Sequence, residues 1–129
     1  MKHKYIRELF PDRLPFPYDE EDYHDFDERD TFNMDATLIA WLYQCLRFFQ
    51  DKASQIVNFD YHKFEIDGEE LTQRQCIDRM VEDCKIILLY DECKFDDWRE
   101  EREYFENFIE SAKNDLFKVL SKVHWAMWW

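Results

Sequence analysis

Apolar positions recur at helical spacing over three long stretches of the chain. From about Asp35 to Lys52, Leu38, Leu42, Cys45, Leu46 and Phe49 form one stripe. Ile39, Trp41 and Phe48 widen it, so this helix is expected to be covered on more than one side. Asn33 or Asp35 can cap its start. From about Gln73 to Leu89, Cys76, Ile77, Met80, Val81, Cys84, Ile87 and Leu88 keep the period. "TQRQ" opens this second helix: Thr72 and Gln75, three apart, make a capping box. The last helix starts near Trp98, capped by Asp96 or Asp97, and runs to Val123 or beyond. Phe105, Phe108, Ile109, Ala112, Leu116, Val119, Leu120 and Val123 are its stripe. Acidic residues crowd its first turns and Lys113, Lys118 and Lys122 come late, the order that suits the helix dipole.

Between the first two helices the period changes. In "FDYHKFEIDGEEL", Phe64, Ile66 and Leu71 flank Asp67-Gly68. Asp-Gly between short apolar runs predicts a two-residue hairpin over about 63–72. An isolated hairpin is marginal in water, so this one must lean on the helices.

The first 34 residues read differently. Tyr5, Ile6, Leu9 and Phe10 fit one face of a short helix within residues 1–10. Pro11, Pro15 and Pro17 stop it and make "PDRLPFPY" extended. "DEEDYHDFDERD", residues 19–30, holds eight acids in twelve positions, and their repulsion disfavours a compact helix. Tyr23 and Phe26 can still pin the segment to a core. The expected architecture is mainly α: one domain over 1–129, with a three-helix bundle and small β-hairpin insert in 35–129 and an extended acidic N-terminal arm in 1–34.

Composition sharpens this. One Gly and three Pro leave too few turn residues for a β-sandwich, and Gly68 alone excludes a glycine-rich phosphate loop. A content of 19% aromatic residues is too high for a disordered chain, despite the net charge of −13. That charge opposes direct binding to nucleic acid, because phosphate contacts need Lys and Arg. It also opposes an anionic membrane surface. It favours a protein partner with a basic surface, or simply solubility. No secretory signal or apolar run of 18 residues is present, which predicts a cytoplasmic protein with reduced thiols. Cys45, Cys76 and Cys84 fall on apolar faces and are expected in the core; Cys93 lies among acids that blunt its reactivity.

Candidate chemistry is sparse. Asp78 and Glu82, four apart, and Glu103 and Glu106, three apart, are spaced as all-α nucleotide hydrolases space carboxylates around magnesium. The alternative is a solvated helix face. His3, His24, His62 and His124 are scattered and form no zinc motif. Of these, His62 sits beside Tyr61 and Phe64, where a structural role competes with a ligand role. The serines lie on helices, with no strained turn to activate a nucleophile. No catalytic residue, cofactor or resident metal is assigned, and a non-enzymatic protein is expected.

Two surfaces remain. Asp19, Glu20, Glu21, Asp22, Asp25, Asp27 and Glu28 form one acidic block, and Asp96, Asp97 and Glu100 belong to a second. Rigid acidic surfaces can imitate a DNA backbone and enter a partner's basic groove. The terminal "VHWAMWW" is the other surface. Trp125 is expected to continue the last helical stripe, with Trp128 and Trp129 folding back over the bundle end or against a twin subunit; contact with a foreign partner is the alternative.

"WLYQCLRFF", "DYHKFEIDGEELTQRQCIDRM" and the final "WW" resemble a group of small bacteriophage and mobile-element proteins. The likeness is carried by Trp41-Leu42-Tyr43, His62-Lys63-Phe64, Gly68, Thr72, Ile77-Asp78, Met80 and Trp128-Trp129. The group has no assigned activity, so no catalytic residue is implied. The resemblance implies a phage-encoded binder that inhibits a host defence or nucleic-acid-processing protein. A virion or assembly protein that oligomerises through aromatics is the alternative.

Overall fold

A computed structural model describes residues 4–12, 34–91 and 102–127. These are mainly helical, with one small antiparallel hairpin. Helix α1 spans Lys4–Leu9 and α2 spans Met34–Phe48. Strand β1 is Lys63–Ile66 and β2 is Glu69–Thr72. Helices α3, Gln73–Asp91, and α4, Arg102–Val123, complete the order. A π-helical turn, Phe49–Ala53, extends α2, and a 3₁₀ turn, His124–Ala126, follows α4. Helix α3 packs against both α2 and α4, while α1 packs on α2.

The hairpin forms where the pattern predicts it. Its register pairs Lys63 with Thr72, Phe64 with Leu71, Glu65 with Glu70 and Ile66 with Glu69. Asp67 and Gly68 take φ of 53° and 79°, the two left-handed residues of a type I′ turn. Glycine enters this region without a Cβ penalty, and Asp tolerates it better than most residues. Alternation then buries Phe64 and Ile66 and exposes Lys63 and Glu65. Strand β2 runs straight into α3 through a reciprocal cap. The Thr72 amide donates to Gln75 Oε1 at 2.9 Å, and the Gln75 amide donates to Thr72 Oγ1 at 3.2 Å. The hairpin leans on α3 through β2 and on α4 through β1.

The core runs the length of α3. Cys76, Ile77, Met80, Val81, Cys84, Ile87 and Leu88 are all buried, as their spacing requires. Helix α4 adds Ala112, Leu116, Val119 and Val123; its Phe105, Phe108, Ile109 and Leu120 are half-buried. Tyr5 and Ile6 of α1 are fully enclosed.

Helix α2 departs from expectation. Its buried line is Ile39, Leu42, Tyr43, Leu46 and Phe49, whereas Leu38 and Cys45 are exposed together with Trp41 and Phe48. Apolar residues surround this helix, and two lines one residue apart satisfy the same period. Periodicity therefore locates the helix without choosing its inner face. Only Cys76 and Cys84 of the three expected core thiols are buried.

Two ends also differ. The first long helix widens into a π turn after Phe48 instead of continuing regularly to Lys52. There Gln50 Nε2 reaches α3 and donates to Asp78 Oδ1 at 2.9 Å, while Asp51 accepts the Tyr5 hydroxyl of α1. At the other end α4 stops at Val123. Its 3₁₀ turn buries Ala126, whose carbonyl accepts Gln73 Nε2 at 3.0 Å, so Trp125 is turned out, 58% exposed, rather than extending the stripe. The proline segment after residue 12, the acidic segment 19–30, and the expected start of the last helix at Asp96–Trp98 lie outside the described residues.

The cap is the local hinge between hairpin and helix. Thr72→Ala is expected to lower unfolding free energy by about 1 kcal/mol in urea titration, with Thr72→Ser largely restoring it.

Candidate functional site

The densest charged cluster among the described residues lies where α3, α4 and the hairpin tip meet. Arg79 of α3 is its centre. Its Nε donates to both carboxylate oxygens of Asp115 on α4, at 3.1 and 2.9 Å, and a terminal nitrogen donates to Asp115 as well. The same nitrogen donates to Asp67 Oδ2 in the turn at 3.1 Å. Lys118, one turn along α4, donates to both Asp67 oxygens at 2.9 Å. One guanidinium thus joins three elements with the fork geometry that suits carboxylates. Hydrogen bonds from Lys118 and Arg79 lower the Asp67 pKa; the Arg79 hydrogen bonds lower that of Asp115 and, reciprocally, raise that of Arg79.

Asp83, one turn after Arg79, is only 8% exposed, and its Oδ2 is enclosed with no donor. Its carboxyl meets that of Asp115. Burial first, then this contact, pushes the Asp83 pKa up to about 8. Beside it, burial and then the Asp83 charge push the Cys84 thiol up, which makes it an inert core sulfur. Neither acid was selected by sequence reasoning, yet a signal existed. Asp83 falls between Met80 and Ile87, and Asp115 between Ala112 and Val119, so each occupies an apolar-stripe position of its own helix.

A second feature is an aromatic corner beside the end of α4. Trp125 meets His62 at 5.4 Å and Phe64 at 5.8 Å between ring centres, and Tyr61 meets His62 at 5.1 Å. Tyr61 is 75% exposed. His62 serves the fold directly: its carbonyl accepts the Gln73 amide at 3.1 Å.

The third is an anchor for α1. Burial, then the hydrogen bond to Asp51, raises the Tyr5 hydroxyl pKa to about 12. Arg47 lies 4.8 Å from the centre of the Tyr5 ring and pairs with Glu8 at 3.5 Å.

Of the carboxylates considered for a metal, the side chains of Asp78, Glu82 and Glu106 are described. Asp78 accepts from Gln50 on the α2 side of α3, and Glu82 is exposed and pairs with Lys85 at 3.2 Å. Glu106 lies nine residues before Asp115, about 14 Å along α4 from the level of Arg79. The side chain of Glu103 lies outside the described set. Among the described residues no group of three His, Cys, Asp or Glu can hold a metal ion. Asp19, Glu20, Glu21, Asp22, Asp25, Asp27, Glu28, Asp96, Asp97, Glu100, Trp128 and Trp129 lie outside the described residues. No described helix is long and apolar enough to cross a membrane.

A shallow depression of about 110 Å³ lies between α2 and α3, lined by Gln50, Phe59, Arg74, Ile77 and Asp78. Its polar groups are already engaged: Arg74 pairs with Asp60 at 3.2 Å and Asp78 holds Gln50. Comparison with known proteins found no matching family model, no matching curated protein and no matching solved structure.

Arg79→Lys keeps the charge and loses the fork. It is expected to destabilise the fold by about 1–2 kcal/mol, with a coupling to Asp115→Asn of similar size in a double-mutant cycle read by urea unfolding.

Proposed function

We propose that this chain is a small acidic protein-binding protein whose negative surface occupies a basic face of its partner. One observation carries this reading: many of the described cations are committed within the molecule. Arg79 and Lys118 serve Asp67 and Asp115, Arg74 serves Asp60, Arg47 serves Glu8, Lys63 serves Glu70 and Lys85 serves Glu82. Internal pairs consume equal numbers of both signs and leave the excess of 30 acids over 17 bases without internal compensation. Such a field steers a basic partner into contact and weakens with salt.

In this reading α2, α3 and α4 form a three-helix bundle, and residues 19–30 are an extended acidic arm. Asp19 to Glu28, with Asp96, Asp97 and Glu100, make the contact. The resemblance to phage proteins extends it to inhibition of a host defence or nucleic-acid-processing protein in the host cytoplasm. A virion or assembly role is the second reading, and exposed apolar side chains favour it: Met34, Leu38 and Phe48 on α2, with Tyr61 and Trp125 at the aromatic corner.

Neutralising Asp19, Glu20, Glu21, Asp22, Asp25 and Asp27 to Asn or Gln tests the first reading. Wild-type chain should capture a host protein at low salt and release it at high salt, and the neutralised chain should capture none. Equal capture by both chains overturns the acidic-contact reading. A concentration-dependent oligomer in light scattering, with no captured protein, moves the chain to the assembly reading.

A further inference from the structure

We propose that Asp83 and Asp115 hold a single proton between them across the α3–α4 seam, and that opening this seam releases it, so that the seam is a latch which loosens as pH rises. Burial of Asp83 without a donor calls for the proton. Two ionised carboxylates have acceptors only and repel when they meet. Asp83 is buried, its Oδ2 receives no donor, and the side chain it meets is the Asp115 carboxylate. A proton on Asp83 turns that contact into a charge-assisted hydrogen bond.

Surrounding charges favour this partition. On α3, Arg79, Glu82 and the Cys84 thiol neighbour Asp83. On α4, Asp115 faces it, with Lys118 at 3.9 Å from the Asp115 carboxylate. The hairpin reaches it through Asp67 on Arg79. Arg79 gives its hydrogen bonds to Asp115 and Asp67, so Asp115 is the natural anion and Asp83 the natural acid.

Loss of the proton to solvent would leave two adjacent anions served by one guanidinium. Relief comes from separating α4 from α3 or from turning Asp83 outward. Because Arg79 and Lys118 also hold Asp67, separation at the seam frees the hairpin tip, and through Phe64 and Trp125 it reaches the turn after α4. The sign follows from linkage. A carboxyl whose folded pKa is raised stabilises the closed seam fully below the ordinary carboxylate pKa. That stabilisation is lost progressively as pH rises from the ordinary carboxylate range toward the raised pKa of folded Asp83.

Asp83→Asn keeps a donor toward Asp115 and cannot titrate. In hydrogen exchange on the full chain, corrected for intrinsic rates, amides of α4 and the hairpin should open about tenfold more per pH unit from pH 5 to 7 in wild type than in D83N. Parallel pH dependence in the two chains overturns the latch. Carboxyl carbon NMR gives an independent readout that needs no variant. Release of the Asp83 proton above neutral pH supports the shared proton, and titration in the ordinary carboxylate range overturns it.

Discussion

The Arg79 guanidinium is the point on which the rest of the structure turns. It leaves α3, grips α4 through Asp115, and grips the hairpin through Asp67. Apolar contact alone allows neighbouring helices to slide by small increments, because dispersion and burial are not directional. A bidentate guanidinium–carboxylate bond does not slide, since its donors have a fixed fork. The seam of α3 and α4 is thus registered by one polar contact amid the buried apolar residues of the two helices. Desolvation makes such pairs modest contributors to net stability, so the contribution of Arg79 is chiefly to specificity of alignment.

Parts of this fold are legible in the sequence because their signals are local. The Asp-Gly turn, the Thr72–Gln75 box and the α3 stripe each involve neighbours within four residues, and each forms as the spacing requires. The inner face of α2 is different. Leu38, Leu42, Cys45 and Phe49 satisfy the helical period as well as Ile39, Leu42, Leu46 and Phe49 do. Only tertiary contact with α1 and α3 selects between them. The charged seam is hidden for another reason. Reading Asp, Glu and Arg as polar assigns Asp83, Asp115 and Arg79 to solvent by default. Asp83 and Asp115 stand on apolar stripes that point inward, and for Asp115 the Arg79 guanidinium makes that burial tolerable. Gln73 follows the same logic: it is fully buried because the Ala126 carbonyl needs a donor.

The division of charge explains how an acidic chain keeps a compact core. Cations are placed at junctions, where each neutralises acids from a different element: Arg47 between α1 and α2, Arg79 and Lys118 between α4, α3 and the turn, and Arg74 beside Asp60 and the Phe59 ring. Self-repulsion is therefore relieved where elements meet and left standing on the outer faces.

The direct passage of β2 into α3 has a kinetic meaning. Turn, strand pair, cap and first helical turn all lie within residues 63–76, and the cap's two bonds span three residues. Closing such short loops costs little chain entropy, so these are among the least costly contacts of the fold to close. Its Phe64, Ile66 and Cys76 are buried in the finished fold, so the stretch still relies on the helices to cover it. Loop-closure entropy weighs on joining α2 and α4 to this stretch more than on the stretch itself, which makes the smallest element of the fold its most local one.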